Sequence, residues 1–191
     1  MSVSVNMPHK LTSFTACTVI SSLTCEVSRN GDLLDLLYVL CGDLPQISWP
    51  ASAAAPQRRL RLWEHTCFEA FIRRPDDDAY IETNASPSGD WHCFRFSAYR
   101  ADMQVASMPT LQVLDCAVNQ SQASLRVQLD LTGWLKPADP LQLGLAAVIQ
   151  TSAPCHLYYA LCHTASKPDF HHRDSHTLLI PGVDHDNPLW H

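Results

Sequence analysis

The chain has 191 residues, 46% of them apolar and 17% charged, which is a globular composition and excludes a disordered polar chain. A formal net charge of −6 and the lack of any basic run argue against a nucleic-acid-binding footprint. No basic region followed by a continuous apolar stretch opens the sequence, so neither a signal peptide nor a membrane span is expected, and the reading is a cytoplasmic protein.

In chain order, a loose start leads into a strand-like run from Phe14 to Arg29, then the turn signal Asn30-Gly31. Leu33 to Leu40 is apolar and reads as the second strand of a hairpin across that turn. Leu44 to Trp49 is expected to form a short strand, and residues 50–59 a proline- and alanine-rich loop. Three strands follow between Cys67 and Tyr99, separated by Arg74-Pro75-Asp76-Asp77-Asp78 and Ser86-Pro87-Ser88-Gly89-Asp90. After a linker over 103–109, Leu111 to Val118 and Ala123 to Leu131 form a hairpin whose apolar residues alternate with polar ones. One short helix is conceivable around Leu131 to Leu135; Leu141 to Gln150, Leu157 to His163 and His176 to Ile180 complete the strands. About ten short strands punctuated by turns predict an all-β, antiparallel β-sandwich in one domain.

Matching apolar faces proposes a register for the central three strands, because a slip of one residue sends every side chain to the other face. Phe68, Ala70 and Ile72 are aligned with Thr83, Ile81 and Ala79, and Phe94 and Phe96 with Thr83 and Ile81. The opposite face then carries Glu69, Glu82 and Arg95 in one row, flanked by Tyr80 and Asn84. Such a row either presents donors and acceptors to a polar ligand or pairs its own charges internally.

Leu62-Trp63-Glu64, Thr66-Cys67-Phe68-Glu69, Tyr80 with Glu82, Asn84 with Ser86-Pro87-Ser88-Gly89 and Trp91, and Tyr99-Arg100 together resemble the DOMON-like domains, which are related to the family-nine carbohydrate-binding modules. Lys167-Pro168-Asp169-Phe170-His171 before a closing strand is similar to the bacterial DOMON-like group. The resemblance covers most of the chain and implies a single jelly-roll-like sandwich domain over residues 1–191. Relatives of this kind bind sugars or haem b, or have no established ligand, and fold alone does not fix which.

The leading functional expectation is non-catalytic binding of a small polar ligand, a carbohydrate foremost. Sugar recognition needs flat aromatic faces ringed by hydrogen-bonding groups. Trp63, Trp91 and Tyr80 are the aromatic candidates; Glu69, Glu82, Asn84 and Arg95 are the polar ones. The loop with Lys167, Asp169 and His171 is expected either to be a polar surface turn or to close over that face. The competing class is an enzyme of sugar or cell-wall metabolism using Glu69 and Glu82 as an acid–base pair. A haem b carrier would draw axial ligands from Met103, Met108 or His163. No cofactor is assigned: zinc at the cluster His163, Asp169, His171, His172, Asp174 and His176, or calcium at Asp76-Asp77-Asp78, matches no standard spacing. Eight irregularly spaced cysteines without a CxxC pair read as reduced core residues rather than a disulfide framework.

Overall fold

The turn signals and alternation that punctuate the sequence translate directly into antiparallel ladders. A computed structural model describes residues 2–153 and 155–182, with side chains from residue 7 onward. Twelve strands are present among them: β1 Ser2–Ser13, β2 Ile20–Asn30, β3 Leu33–Gly42, β4 Cys67–Arg73, β5 Tyr80–Ala85, β6 Trp91–Phe96, β7 Gln104–Val105, β8 Thr110–Val118, β9 Gln122–Asp130, β10 Leu141–Gln150, β11 His156–Ala160 and β12 Leu178–Ile180. Every strand pairing is antiparallel, and the order is β7-β6-β5-β4-β10-β11-β1-β2-β3-β9-β8, with β12 beside the start of β10. Strand β1 joins the two layers: Leu11 and the residues before it pair with β2, while Thr12 and Ser13 pair with β11.

The layers close over one apolar core. Leu23, Cys25, Leu36, Tyr38, Leu125 and Val127 come from one side, and Phe68, Ala70, Ile72, Ile81, Leu143 and Leu145 from the other. Each fully buried leucine, isoleucine or phenylalanine contributes roughly 1.5–3 kcal/mol relative to exposure. Tyr38 spans the core, stacking near Phe68 and donating its hydroxyl to the Glu69 carbonyl at 2.8 Å. Arg29, 0% exposed, donates to the carbonyls of Gly31, Lys136 and Asp139, and so ties the β2–β3 turn to the loop before β10.

Several local expectations change. The segment expected to be a loose start is strand β1; its register shifts between Val5 and His9, and this irregularity holds Pro8, which cannot donate to a ladder. Leu44–Gln46 is a 3-10 turn rather than a strand, with Pro45 in its first turn and a single bridge from Ile47 to Thr151. Residues 131–135 form a turn, not a helix, closed by the Trp134 and Leu135 N–H groups on the Leu131 carbonyl. The hairpin at Asn30-Gly31 forms as expected, with Asn30 opposite Leu33 and Gly31 at φ 60°, a conformation glycine adopts without strain.

Both faces of the β6-β5-β4-β10 layer are covered. One packs on the core. On the other, Phe71, Tyr80, Phe94, Phe96, Ala146 and Ala160 form a second apolar cluster, against which Phe170 of the segment before β12 packs. Gly144 admits this covering segment, since a Cβ there would meet the His176 ring at 2.4 Å.

Candidate functional site

The site lies on that second face, and the strand register determines who shares it. Glu69 faces Asn84, Phe71 faces Glu82, and Ile72 faces Ile81. This ladder is two residues away from the proposed one, an even shift, so Glu69, Glu82, Asn84 and Tyr80 remain on one face. The next ladder corrects the proposed row. Glu82 faces Phe94 and Ile81 faces Arg95, an odd shift that turns Arg95 to the opposite side, where it is exposed. Arg95 lines a separate surface hollow with Arg74, Asp77 and Trp134. The physical reason is that both faces of β6 bury aromatic or apolar side chains, so apolar alternation does not say which face meets the main core. Phe94 and Phe96 belong to the carboxylate face, and Cys93 to the core.

A cavity of about 530 Å³ opens on this face, lined by Trp63, Glu69, Glu82, Phe94, Arg100, Tyr158 and His171, among others. Its size is typical of small-molecule sites. Glu69 and Glu82 are only 4% and 6% exposed. Burial first, then the neighbouring Glu82, pushes the Glu69 carboxyl well above the usual range, and Arg100 acts weakly in the other direction. Burial likewise raises Glu82, opposed by the hydrogen bond from Asn84 and by Arg100. Asn84 Nδ2 donates to Glu82 Oε1 at 2.7 Å, while the Glu69 side chain has no hydrogen-bond partner among the described residues. No lysine or arginine lies within ion-pairing distance of either carboxyl among the described residues, and His171 Nε2 stands 3.7 Å from Glu82 Oε2.

That histidine is fixed from behind. Tyr80 Oη accepts the Arg100 N–H at 3.3 Å and lies 2.7 Å from His171 Nδ1. The arrangement that uses every proton has Tyr80 donating to Nδ1, leaving the Nε2–H aimed at Glu82. Burial, helped by the Arg100 charge, holds the His171 imidazole neutral, with its pKa lowered to about 4. Burial raises the Tyr80 phenol to about 12.

The mouth is set by a turn after β6 and by the covering segment. Arg100 sits at φ 53° and Asp102 at φ 51°, which swings the chain back toward the sheet. Arg100 donates to Asp169 Oδ1 at 2.9 Å, and Tyr99 donates to Asp169 Oδ2 at 2.6 Å. Those donors hold the Asp169 carboxylate below its usual range although burial alone would raise it. Trp63, 36% exposed, follows a left-handed Arg61 in a 3-10 turn and stands edge-on to Phe94 at 5.8 Å.

The structure therefore brings together Glu69, Glu82, Trp63 and His171. Asn84 and Tyr80 lie beneath them as buried supports, and Asp169 anchors the mouth through Arg100. Trp91 is displaced: it pairs with Ala85 on the core-facing side, packs against the main core and lies under the Arg58 guanidinium at 4.5 Å. Lys167 is exposed and is not among the cavity residues, whereas Pro168 is. Arg100, Phe94, Tyr158 and Phe170 were not among the residues proposed from sequence. Phe94 is where the period-two signal misled, and Arg100 lies in a turn whose positive φ angles no period reveals.

Among the described residues no group of three or more His, Cys, Asp or Glu side chains is arranged to hold a metal ion. The clustered histidines are dispersed onto separate partners: His163 Nε2 to the Thr12 carbonyl, His176 Nε2 to the Phe170 carbonyl, and His172 Nδ1 accepting the Asp174 N–H. In the aspartate run, Asp77 caps the Ala79 N–H while Asp78 pairs with Arg173. Of the axial-ligand candidates, Met103 lines the cavity mouth, and Met108 and His163 do not line it. Among the described residues no helix is long and apolar enough to cross a membrane. All eight cysteines carry free thiols, with Cys25, Cys67 and Cys93 fully buried.

The fold has a solved counterpart. The chain is similar to a crystal structure described as a putative carbohydrate-binding protein from Bacteroides uniformis, with a TM-score of 0.61 and 14% sequence identity over 82% of this chain and 76% of that one. At that identity the likeness is one of fold. No known protein-family profile matches the chain. No curated protein sequence matches it either.

Proposed function

We propose that the protein is a non-catalytic binding module for a saccharide, held in the cavity over Glu69 and Glu82. The observation that carries this reading is Glu69: a carboxyl 4% exposed, lining an open cavity and lacking a protein hydrogen-bond partner among the described residues. Its oxygens are not sealed off from the cavity, so ligand hydroxyls can reach them as donors in place of solvent. Trp63, Phe94 and Tyr158 supply the aromatic lining that sugar-binding sites use. The resemblance to DOMON-like and family-nine carbohydrate-binding domains, and the carbohydrate assignment of the fold counterpart, support the same ligand class. Eight free thiols favour a reducing compartment such as the cytoplasm.

A panel of mono- and oligosaccharides tested by calorimetry and thermal shift on the full chain checks this reading. At least one saccharide should raise the melting temperature, by an amount equivalent to about 2.7 kcal/mol at a hundredfold excess over Kd. Trp63→Ala should weaken binding while Arg95→Ala leaves it intact. Absence of any shift or binding heat across the panel would refute it.

A second reading, acid–base turnover of a glycoside, is favoured by the buried Glu69 carboxyl, which keeps its proton above the usual range as a general acid must. Appearance of a cleaved product from a bound saccharide would select it over simple binding.

A further inference from the structure

The charge balance of the cavity is unusual for a site that takes only neutral sugars. Two carboxyls stand on adjacent strands of one face, and no lysine or arginine among the described residues is within ion-pairing distance of either. The nearest cation, Arg100, is committed to Asp169 at 2.9 Å. The charged and titratable groups at the cavity are Glu69 on β4, Glu82 on β5, Arg100 on the turn after β6, Asp169 and His171 on the covering segment and Tyr158 on β11, with Tyr80, Cys67, Cys93 and Tyr38 packed beneath the pair and their pKa values raised by burial. A neutral hydroxyl would satisfy an oxygen lone pair here but would do little to stabilise the ionised form of two buried, adjacent carboxyls. An ammonium supplies both hydrogen-bond donors and the missing charge. The lining also includes the aromatic rings of Trp63, Phe94 and Tyr158, a residue type that attracts positive charge.

We infer that the ligand carries a positive charge, and that its ammonium group sits against Glu69 and Glu82. This rests on the saccharide reading and narrows it to amino sugars with a free amine. Asn84 already donates to one oxygen of Glu82, whereas Glu69 is held by no side chain among the described residues. Glu69 is therefore the carboxyl freer to take the ammonium. Burial raises both carboxyls above their usual range, so an ammonium that favours their ionised form should release protons as it docks, and its affinity should rise with pH until the amine loses its own proton.

The test is calorimetry on the full chain at about pH 6, where a free amine is charged and an ordinary carboxylate ionised. Glucosamine, galactosamine and mannosamine are each compared with their N-acetyl form and their parent hexose, in two buffers of different ionisation enthalpy. The expected result is a free amine bound at least about tenfold tighter than both of its neutral counterparts, a difference of about 1.4 kcal/mol. Its binding heat should depend on the buffer, reporting proton release. Glu69→Gln, isosteric and checked for an unchanged fold by circular dichroism, should erase the preference and the buffer dependence; Glu82→Gln should do so in part. Equal binding of hexosamine and parent hexose would overturn the charge inference while leaving the saccharide reading standing. Binding of cyclohexylamine with no binding of any sugar would do the reverse. Silence from every probe would remove both.

Discussion

Arg100 and Asp169 form a 2.9 Å ion pair between the turn after β6 and the segment that covers the carboxylate face. Around it, the Tyr99 hydroxyl and the His171 N–H converge on the same carboxylate. One aspartate thus sets the height of the cavity roof, because it fixes the mouth turn and the His171 backbone together.

Replacing that anchor should loosen the roof before it unfolds the sandwich. Asp169→Ala leaves Tyr99, Arg100 and the His171 N–H without their shared acceptor, and a charged hydrogen bond of this kind contributes about 1.5–3 kcal/mol. The expected outcome is a stability loss of about 2 kcal/mol, with hydrogen exchange accelerating at residues 169–176 well ahead of the β10 ladder. Uniform acceleration across both layers would contradict this division of labour.

The carboxyl pair should show as a stability gain when its charge is removed. Glu69 and Glu82 have raised folded-state pKa values, so the folded chain holds protons that the unfolded chain has already released. Their contribution is most favourable below the unfolded carboxyl value of about 4.3 and is lost as pH rises toward the folded values. Glu69→Gln should therefore raise the melting temperature at neutral pH, and the gain should vanish in acid. With Arg95 in the row, the same substitution would have weakened the fold; the odd register shift reverses the sign.

Arg95 and Arg100 provide a direct comparison. Arg95→Ala removes an exposed side chain on the far side of the sheet and should change stability by no more than about 0.5 kcal/mol. Arg100→Ala removes a cavity-lining cation and the Asp169 partner, and should alter ligand affinity. Equal effects of the two substitutions on binding would place the ligand elsewhere.

How far the chain's own pattern reveals this arrangement depends on how many faces of each strand are buried. In β9, Ala123, Leu125, Val127 and Leu129 are buried while Ser124, Arg126 and Gln128 are not, so alternation identifies strand, face and hairpin together. In β4 all seven residues are buried, and in β6 buried aromatics alternate with a buried cysteine and an exposed arginine. There the pattern names the strands but not their register, and the row lost Arg95 for that reason. Strand β1 was hidden by its irregular pairing around Pro8. The roof was legible in composition, as a His- and Asp-rich loop, but its contacts were not. Tyr80 reaches His171 across 91 residues and Arg100 reaches Asp169 across 69, and no local periodicity encodes separations of that size.

The histidines of the roof make the last expectation a matter of sign. Burial holds His171 and His176 neutral, both lowered to about 4, whereas an unfolded histidine takes up its proton at about 6.5. The folded chain binds fewer protons between those values, so this contribution is intact above the unfolded value and is lost as pH falls through it. His171 also gives its Nε2–H toward Glu82, so protonating it means taking the Tyr80 proton away from Nδ1 or breaking that contact. Histidine resonances followed by NMR should show His171 and His176 still neutral at about pH 5.5, where an unperturbed histidine is largely charged. Tyr80→Phe should leave His171 neutral at that pH, because burial and the Arg100 charge, not the Tyr80 hydroxyl, hold its pKa down, while the ring loses the donor that fixes its tautomer. If His171 titrates normally in the unmodified chain, its ring is solvated rather than buried, and the covering segment does not close over the carboxylate face in solution.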